Sequence, residues 1–95
     1  MFKKRWFNVI VSDEGFSVKT LGRIGVKYTE GSKSMYIATE FNASVSPLGL
    51  VLFEDSIQTW DPPYDNEVID DTKRETIVDN VCRALQFRGL EVKVY

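Results

Sequence analysis

The chain predicts an α+β domain. It should hold a mainly antiparallel sheet of about five to seven short strands, one amphipathic helix over about residues 71–88, and a last strand over 90–95. Three observations carry this reading. Apolar residues recur with a period near two between clusters of Gly, Asn, Asp, Ser and Pro. One stretch alone, within 77–85, spaces its apolar residues as a helix does. Beyond Gly89 the period returns to two. At 95 residues, the length fits a single domain over 1–95.

Residues 5–12 alternate imperfectly, with Trp6 and Ile10 on one side and Phe7, Val9 and Val11 on the other. Apolar residues on both sides suggest one strand covered on both faces. Ser12-Asp13-Glu14-Gly15 is turn chemistry, and Phe16 and Val18 open a second strand. Residues 23–30 read as a half-buried strand, with Ile24, Val26 and Tyr28 inward. Residues 30–33 form a turn, and 34–41 return with Met35, Ile37, Thr39 and Phe41 on one face. Residues 42–49 are rich in small and breaker residues and predict a loop. Residues 50–53 make a short apolar strand, with a tight turn at Glu54-Asp55 and a further strand over 56–60. Pro62 and Pro63 donate no backbone hydrogen bond, so any strand stops there.

The helix carries Ile77, Val78, Val81, Ala84 and Leu85 as an apolar stripe, with Asp79, Arg83 and Gln86 on the wet side. Asp70 or Asp71 can cap its start, and Thr72 with Glu75 has the spacing of a capping box. Carboxylates near the start and Arg83 and Arg88 near the end suit the helix dipole. Gly89 is placed to end it. In the last strand Leu90, Val92 and Val94 should face inward.

Composition narrows the function. The chain has no histidine and one cysteine, Cys82. A Ser-His-Asp triad, a Cys-His pair and a histidine-containing zinc site are therefore impossible. Cys82 flanks the apolar stripe and reads as a buried, inert thiol. One cysteine makes no internal disulfide, and nothing calls for an oxidising compartment. No apolar run approaches the roughly 20 residues that span a bilayer. The N-terminal basic cluster and short apolar patch read as a strand rather than a signal segment. Gly22-Arg23-Ile24-Gly25 lacks the context of a phosphate loop. Asp61, Asp65 and Glu67 do not match a calcium loop. No cofactor or metal is implied, and no enzyme activity is expected.

Residues 54–71 are strongly anionic: Glu54, Asp55, Asp61, Asp65, Glu67, Asp70 and Asp71, with no lysine or arginine among them. The whole chain is only at −2. The plain reading is a solvated loop with cap carboxylates. The functional reading is a surface that docks a basic partner, because a field of one sign speeds encounter. The candidate contacts are Glu54, Asp55, Asp61, Tyr64, Asp65 and Glu67. Trp60 and Tyr64 are available as aromatic anchors, although Trp60 ends a predicted strand, which favours the core. The alternative is a small nucleic-acid-binding domain using the sheet and the basic N-terminal arm FKKRWF. A sequence pI near 5.1 weighs against it.

The order of motifs carries a resemblance. Tyr28-x-Glu30-Gly31 precedes Met35-Tyr36-Ile37-x-x-Glu40. Ser56-Ile57-x-x-Trp60-x-x-Pro63 follows, then a helix with Arg74-x-x-Ile77-x-x-Asn80, and then Gly89 before a last strand. No single motif is specific, but the ordered set, over roughly residues 22–95, resembles the immunity protein 74 family. These are small bacterial proteins of polymorphic toxin systems. The resemblance implies a cytoplasmic, non-catalytic antidote that binds and blocks one cognate toxin. It identifies no toxin-contacting residue. A basic nuclease is the toxin class that the anionic stretch suggests.

Overall fold

The computed structural model describes residues 2–6, 8–21, 25–41 and 49–95. Seven strands form one mixed sheet in the order β1-β2-β3-β4-β5-β6-β7. They are β1 (Phe2–Trp6), β2 (Val9–Ser12), β3 (Phe16–Thr20), β4 (Gly25–Glu30), β5 (Lys33–Phe41), β6 (Gly49–Leu52) and β7 (Glu91–Val94). The first six run as an antiparallel meander. The helix α1 (Asp71–Phe87) then lies between β6 and β7, which pair parallel. A parallel neighbour needs a crossover, and α1 is that crossover.

Register explains the core. Ile10 stands opposite Val18, Val18 opposite Tyr28, and Tyr28 opposite Met35. This row crosses four strands, and each of its members is at most 1% exposed. Val26 and Ile37 form the next row. Ile77, Val81, Ala84 and Leu85 of α1 are fully buried in the same cluster. Each large aliphatic side chain buried here contributes about 1.5–3 kcal/mol.

Both ends of α1 are fixed by residues that suit them. The Asp70 side chain accepts from the Lys73 amide at 2.8 Å, which makes Asp70 the N-cap. Lys73 stands three residues past this cap, so the expected Thr72–Glu75 capping box is not formed. Gly89 adopts φ +89°. Its amide donates to Gln86 and that of Leu90 to Leu85, so the free carbonyls of the last turn are satisfied.

The sequence reading needs several corrections. Residues 5–12 are not one strand: β1 ends at Trp6, and β2 starts at Val9 and turns back on it, with a register shift between Lys4 and Trp6. Asn8 sits in the turn and is tied to Thr20, whose amide donates to the Asn8 carbonyl at 2.9 Å. Nor is β2 covered equally on both faces, since Ile10 and Ser12 are buried and Val9 and Val11 only partly. No strand forms over 56–60. The turn expected at Glu54-Asp55 forms as a short 3₁₀ turn, Glu54–Ser56, and the segment after it runs without a ladder. Phe41, the last residue of β5, is 49% exposed rather than inward, although its partner Leu50 on β6 is buried. Val94 is 39% exposed, because β7 is a sheet edge. The loop expected over 42–49 lies outside the described residues except for Gly49, which begins β6. Residues 22–24 of the glycine motif also lie outside them.

Gly25 has a packing role. A Cβ there would come within 2.5 Å of the Tyr36 ring and 2.7 Å of the Ile37 carbonyl oxygen. Only glycine lets the ring lie this close to the strand.

Candidate functional site

The corner over 53–70 is built around three inward side chains, Ile57, Trp60 and Ile69, each at most 6% exposed. Ser56 starts it. Its hydroxyl donates to the Phe53 carbonyl at 2.6 Å and accepts from the Ala38 amide at 3.0 Å, so it stands in for a strand partner on β5. The Asp61 amide donates to the Ser34 carbonyl at 2.8 Å. These two pins, four residues apart on β5, stretch the segment along the strand for roughly 13 Å. Trp60 lies between them, stacked on Tyr28 with ring centroids 6.2 Å apart. Trp60 is thus core. Phe87, Phe2, Phe16, Tyr28 and Trp60 form a continuous line of ring contacts from the end of α1 to the corner.

The predicted contact residues fall into two groups around these pins. Glu54 and Asp55 lie in the 3₁₀ turn and line an open depression with Ile57, Gln58, Arg74 and Tyr95. Arg74 is committed elsewhere, with Nε donating to the Ile57 carbonyl at 3.2 Å and Nη1 to Asp71 at 2.7 Å. Asp61, Tyr64, Asp65 and Glu67 gather beyond the other pin, near the β4–β5 turn. Tyr64 is half-buried against the core and shares a 3.1 Å hydrogen bond with Ser32. Glu67 pairs with Lys33, whose ammonium also sits 5.6 Å from the Tyr64 ring and 5.9 Å from that of Trp60. A segment without basic residues in sequence has therefore gained one in space. Among the described residues, Glu54, Asp55, Asp61 and Asp65 make no ion pair. Asp55, Asp61 and Asp65 are exposed.

A second polar constellation escaped the sequence reading. Asn80, placed on the buried side of α1, donates to the Tyr28 hydroxyl at 3.0 Å. Tyr28 in turn donates to Glu30 at 2.6 Å, and Lys73 donates to the other Glu30 oxygen at 2.6 Å. On the far side Arg83 donates to Asn80 at 2.7 Å, to Asp79 at 3.0 Å and to Glu14 at 3.1 Å. The bridge ties α1 to β4 and to the β2–β3 turn. Burial alone would raise the Glu30 carboxyl. The hydrogen bonds from Lys73 and Tyr28, with the nearby lysine charges, outweigh it and hold the group below its ordinary value. Burial first, and then the Glu30 carboxylate, push the Tyr28 phenol far up, so it stays a donor. No buried side-chain nitrogen or oxygen lacks a partner among the described residues, as a structural bridge requires. Tyr28, Glu30 and Asn80 stand in the ordered motifs of the sequence, but nothing there joined them into one network.

Cys82 is half-buried beside the core. Burial first, and then the Asp79 charge, push its thiol pKa up, away from nucleophilic use. Among the described residues no acidic or cysteine group is arranged to hold a metal ion, and no helix is long and apolar enough to cross a membrane.

A family model described as Immunity protein 74 matches residues 19–95. The match starts inside β3, so β1 and β2 lie outside it, although they complete the same sheet. No curated protein and no solved structure matches the chain.

Proposed function

The chain belongs to the immunity protein 74 family, and from that membership we propose that it is a cytoplasmic, non-catalytic antidote. It binds one cognate toxin of a polymorphic toxin system and occludes the toxin's working surface. The family match carries the reading. The location of the contact rests on Glu54, Asp55, Asp61 and Asp65, carboxylates without an ion pair among the described residues, held beside a rigid aromatic corner. A basic toxin, such as a nuclease, complements that surface. A field of one sign raises the encounter rate, while the fixed corner lowers the ordering cost of docking.

The nucleic-acid alternative has one supporting observation. Lys19 and Lys27 stand directly opposite each other on the sheet face away from α1, and both are exposed. The deciding experiment mixes the purified chain with the toxin encoded by the adjacent reading frame. The expected result is a stoichiometric complex and loss of toxin activity. Absence of a complex, together with salt-sensitive binding of single-stranded nucleic acid by the chain alone, would reverse the choice.

A further inference from the structure

The two edges of the sheet differ in what they would present to a second copy. β1 is one edge and β7 the other. β1 carries two consecutive exposed cationic residues, Lys3 and Lys4. Self-pairing there would set like charges against each other, a common protection of edge strands. β7 reads Glu91-Val92-Lys93-Val94 and has no such protection.

The backbone of β7 shows which groups face outward. The Tyr95 amide donates to the Leu52 carbonyl at 2.8 Å, and the Tyr95 carbonyl accepts from Glu54 at 3.2 Å. Both groups of Tyr95 therefore point toward β6. By strand alternation those of Lys93 and Glu91 do the same, while the N–H and C=O of Val92 and Val94 point out. An antiparallel copy centred on Val92 meets these groups in phase. Each Val92 N–H donates to the other copy's Val92 carbonyl, and each Val94 N–H reaches the other copy's Leu90 carbonyl. The same register sets Glu91 opposite Lys93 of the second copy, and Lys93 opposite its Glu91. Both are exposed. The edge is self-complementary in hydrogen bonds and in charge. It would also cover Val94, which is 39% exposed, and the half-buried Val92 and Leu90.

We propose that the chain forms a two-fold dimer by antiparallel pairing of β7 with β7 of a second copy. The sheet then continues across the two copies, and the seam leaves the acidic turn at Glu54-Asp55 near each of its ends. The interface is short, so the dimer is weak and exchanges with monomer. The proposal does not depend on the toxin reading.

The test is sedimentation equilibrium of the full chain, without any partner, from about 10 μM to about 1 mM, which spans the weak-affinity range. The expected result is a reversible monomer–dimer equilibrium. Glu91→Lys and Lys93→Glu should each weaken the dimer about tenfold, since each replaces both cross-strand attractions with repulsions. The double exchange Glu91→Lys with Lys93→Glu should restore it. Val92→Pro removes an outward N–H and should abolish pairing. An unchanged thermal midpoint in the charge variants shows that they fold, and they decide the matter if Val92→Pro does not. A monomer at every concentration overturns the proposal. So does a dimer that ignores both single charge reversals, which would locate its interface elsewhere, or a double exchange that fails to recover pairing.

Discussion

The polar bridge beneath α1 and the acidic segment leading into α1 use the same kinds of side chain and differ in what those side chains meet. Glu30 receives a proton donor from Tyr28 and a cation from Lys73. Asn80 and Arg83 extend the same network to Glu14. In the acidic segment Glu67 has Lys33, but Glu54, Asp55, Asp61 and Asp65 make no ion pair among the described residues. A charge with internal partners stabilises the fold and is costly to remove. A charge without them adds little to stability and remains available to another molecule. Trp60 divides the two regions, since its ring closes the core while Asp61, Asp65 and Glu67 after it are exposed.

The comparison breaks most visibly at Trp60. Trp60→Ala should cost about 3–5 kcal/mol of stability, because it empties a site stacked on Tyr28 and lidded by Lys33 and Lys73. Chemical denaturation measures it. An unchanged midpoint with lost toxin binding would move Trp60 from the core to the interface.

The bridge is the next test. Asn80→Ala removes the donor to the Tyr28 hydroxyl and the acceptor for Arg83, and should cost about 1–3 kcal/mol. Toxin affinity of the folded fraction should stay the same. A stability change within about 0.5 kcal/mol, the range of ordinary surface substitutions, would mean that solvent already serves these groups.

Glu30 gives a smaller effect with a defined sign. Its folded-state pKa lies below the ordinary carboxylate value. Its stabilising contribution is thus complete above the carboxylate range and is lost as pH falls through the folded value. Glu30→Gln should flatten the acid limb of the stability profile relative to the unmodified chain. Denaturation midpoints taken from neutral pH downward show this, and parallel acid limbs would contradict the assignment.

What the sequence disclosed and what it hid follow from locality. The β4–β5 hairpin was legible because alternation and the Glu30-Gly31 turn lie within one short window, and Gly31 does take φ +61°. The helix was legible between Asp70 and Gly89, whose roles are set by their immediate neighbours. The β1–β2 turn was not, since no glycine marks it and Asn8 is bound by Thr20, twelve residues away. The 56–60 segment has strand-like composition, yet the Ser56 hydroxyl takes the β5 amide that a ladder would need. Asn80 was visible only as a member of the motif Arg74-x-x-Ile77-x-x-Asn80, because its partner Tyr28 is 52 residues distant. The acidic segment was legible as charge, while its division by Lys33 exists only in the fold.

The central claim concerns Glu54, Asp55, Asp61 and Asp65, which make no ion pair among the described residues; the Asp61 carboxylate accepts only a 3.4 Å hydrogen bond from the Ser34 hydroxyl. Glu54→Gln, Asp55→Asn, Asp61→Asn and Asp65→Asn made together should leave the unfolding midpoint nearly unchanged, since three of the four are exposed and Glu54 is half-buried with no ion pair among the described residues. The measurement is binding kinetics of this variant against the toxin of the adjacent reading frame at two salt concentrations, with Glu67→Gln as the internally paired control. The account predicts an association rate lower by about tenfold at low salt, with a smaller change in dissociation. That gap should narrow at high salt as screening sets in beyond roughly 8–10 Å, and Glu67→Gln should change little. An association rate equal to that of the unmodified chain at both salt concentrations would contradict it and turn attention to the lysine-bearing face of the sheet.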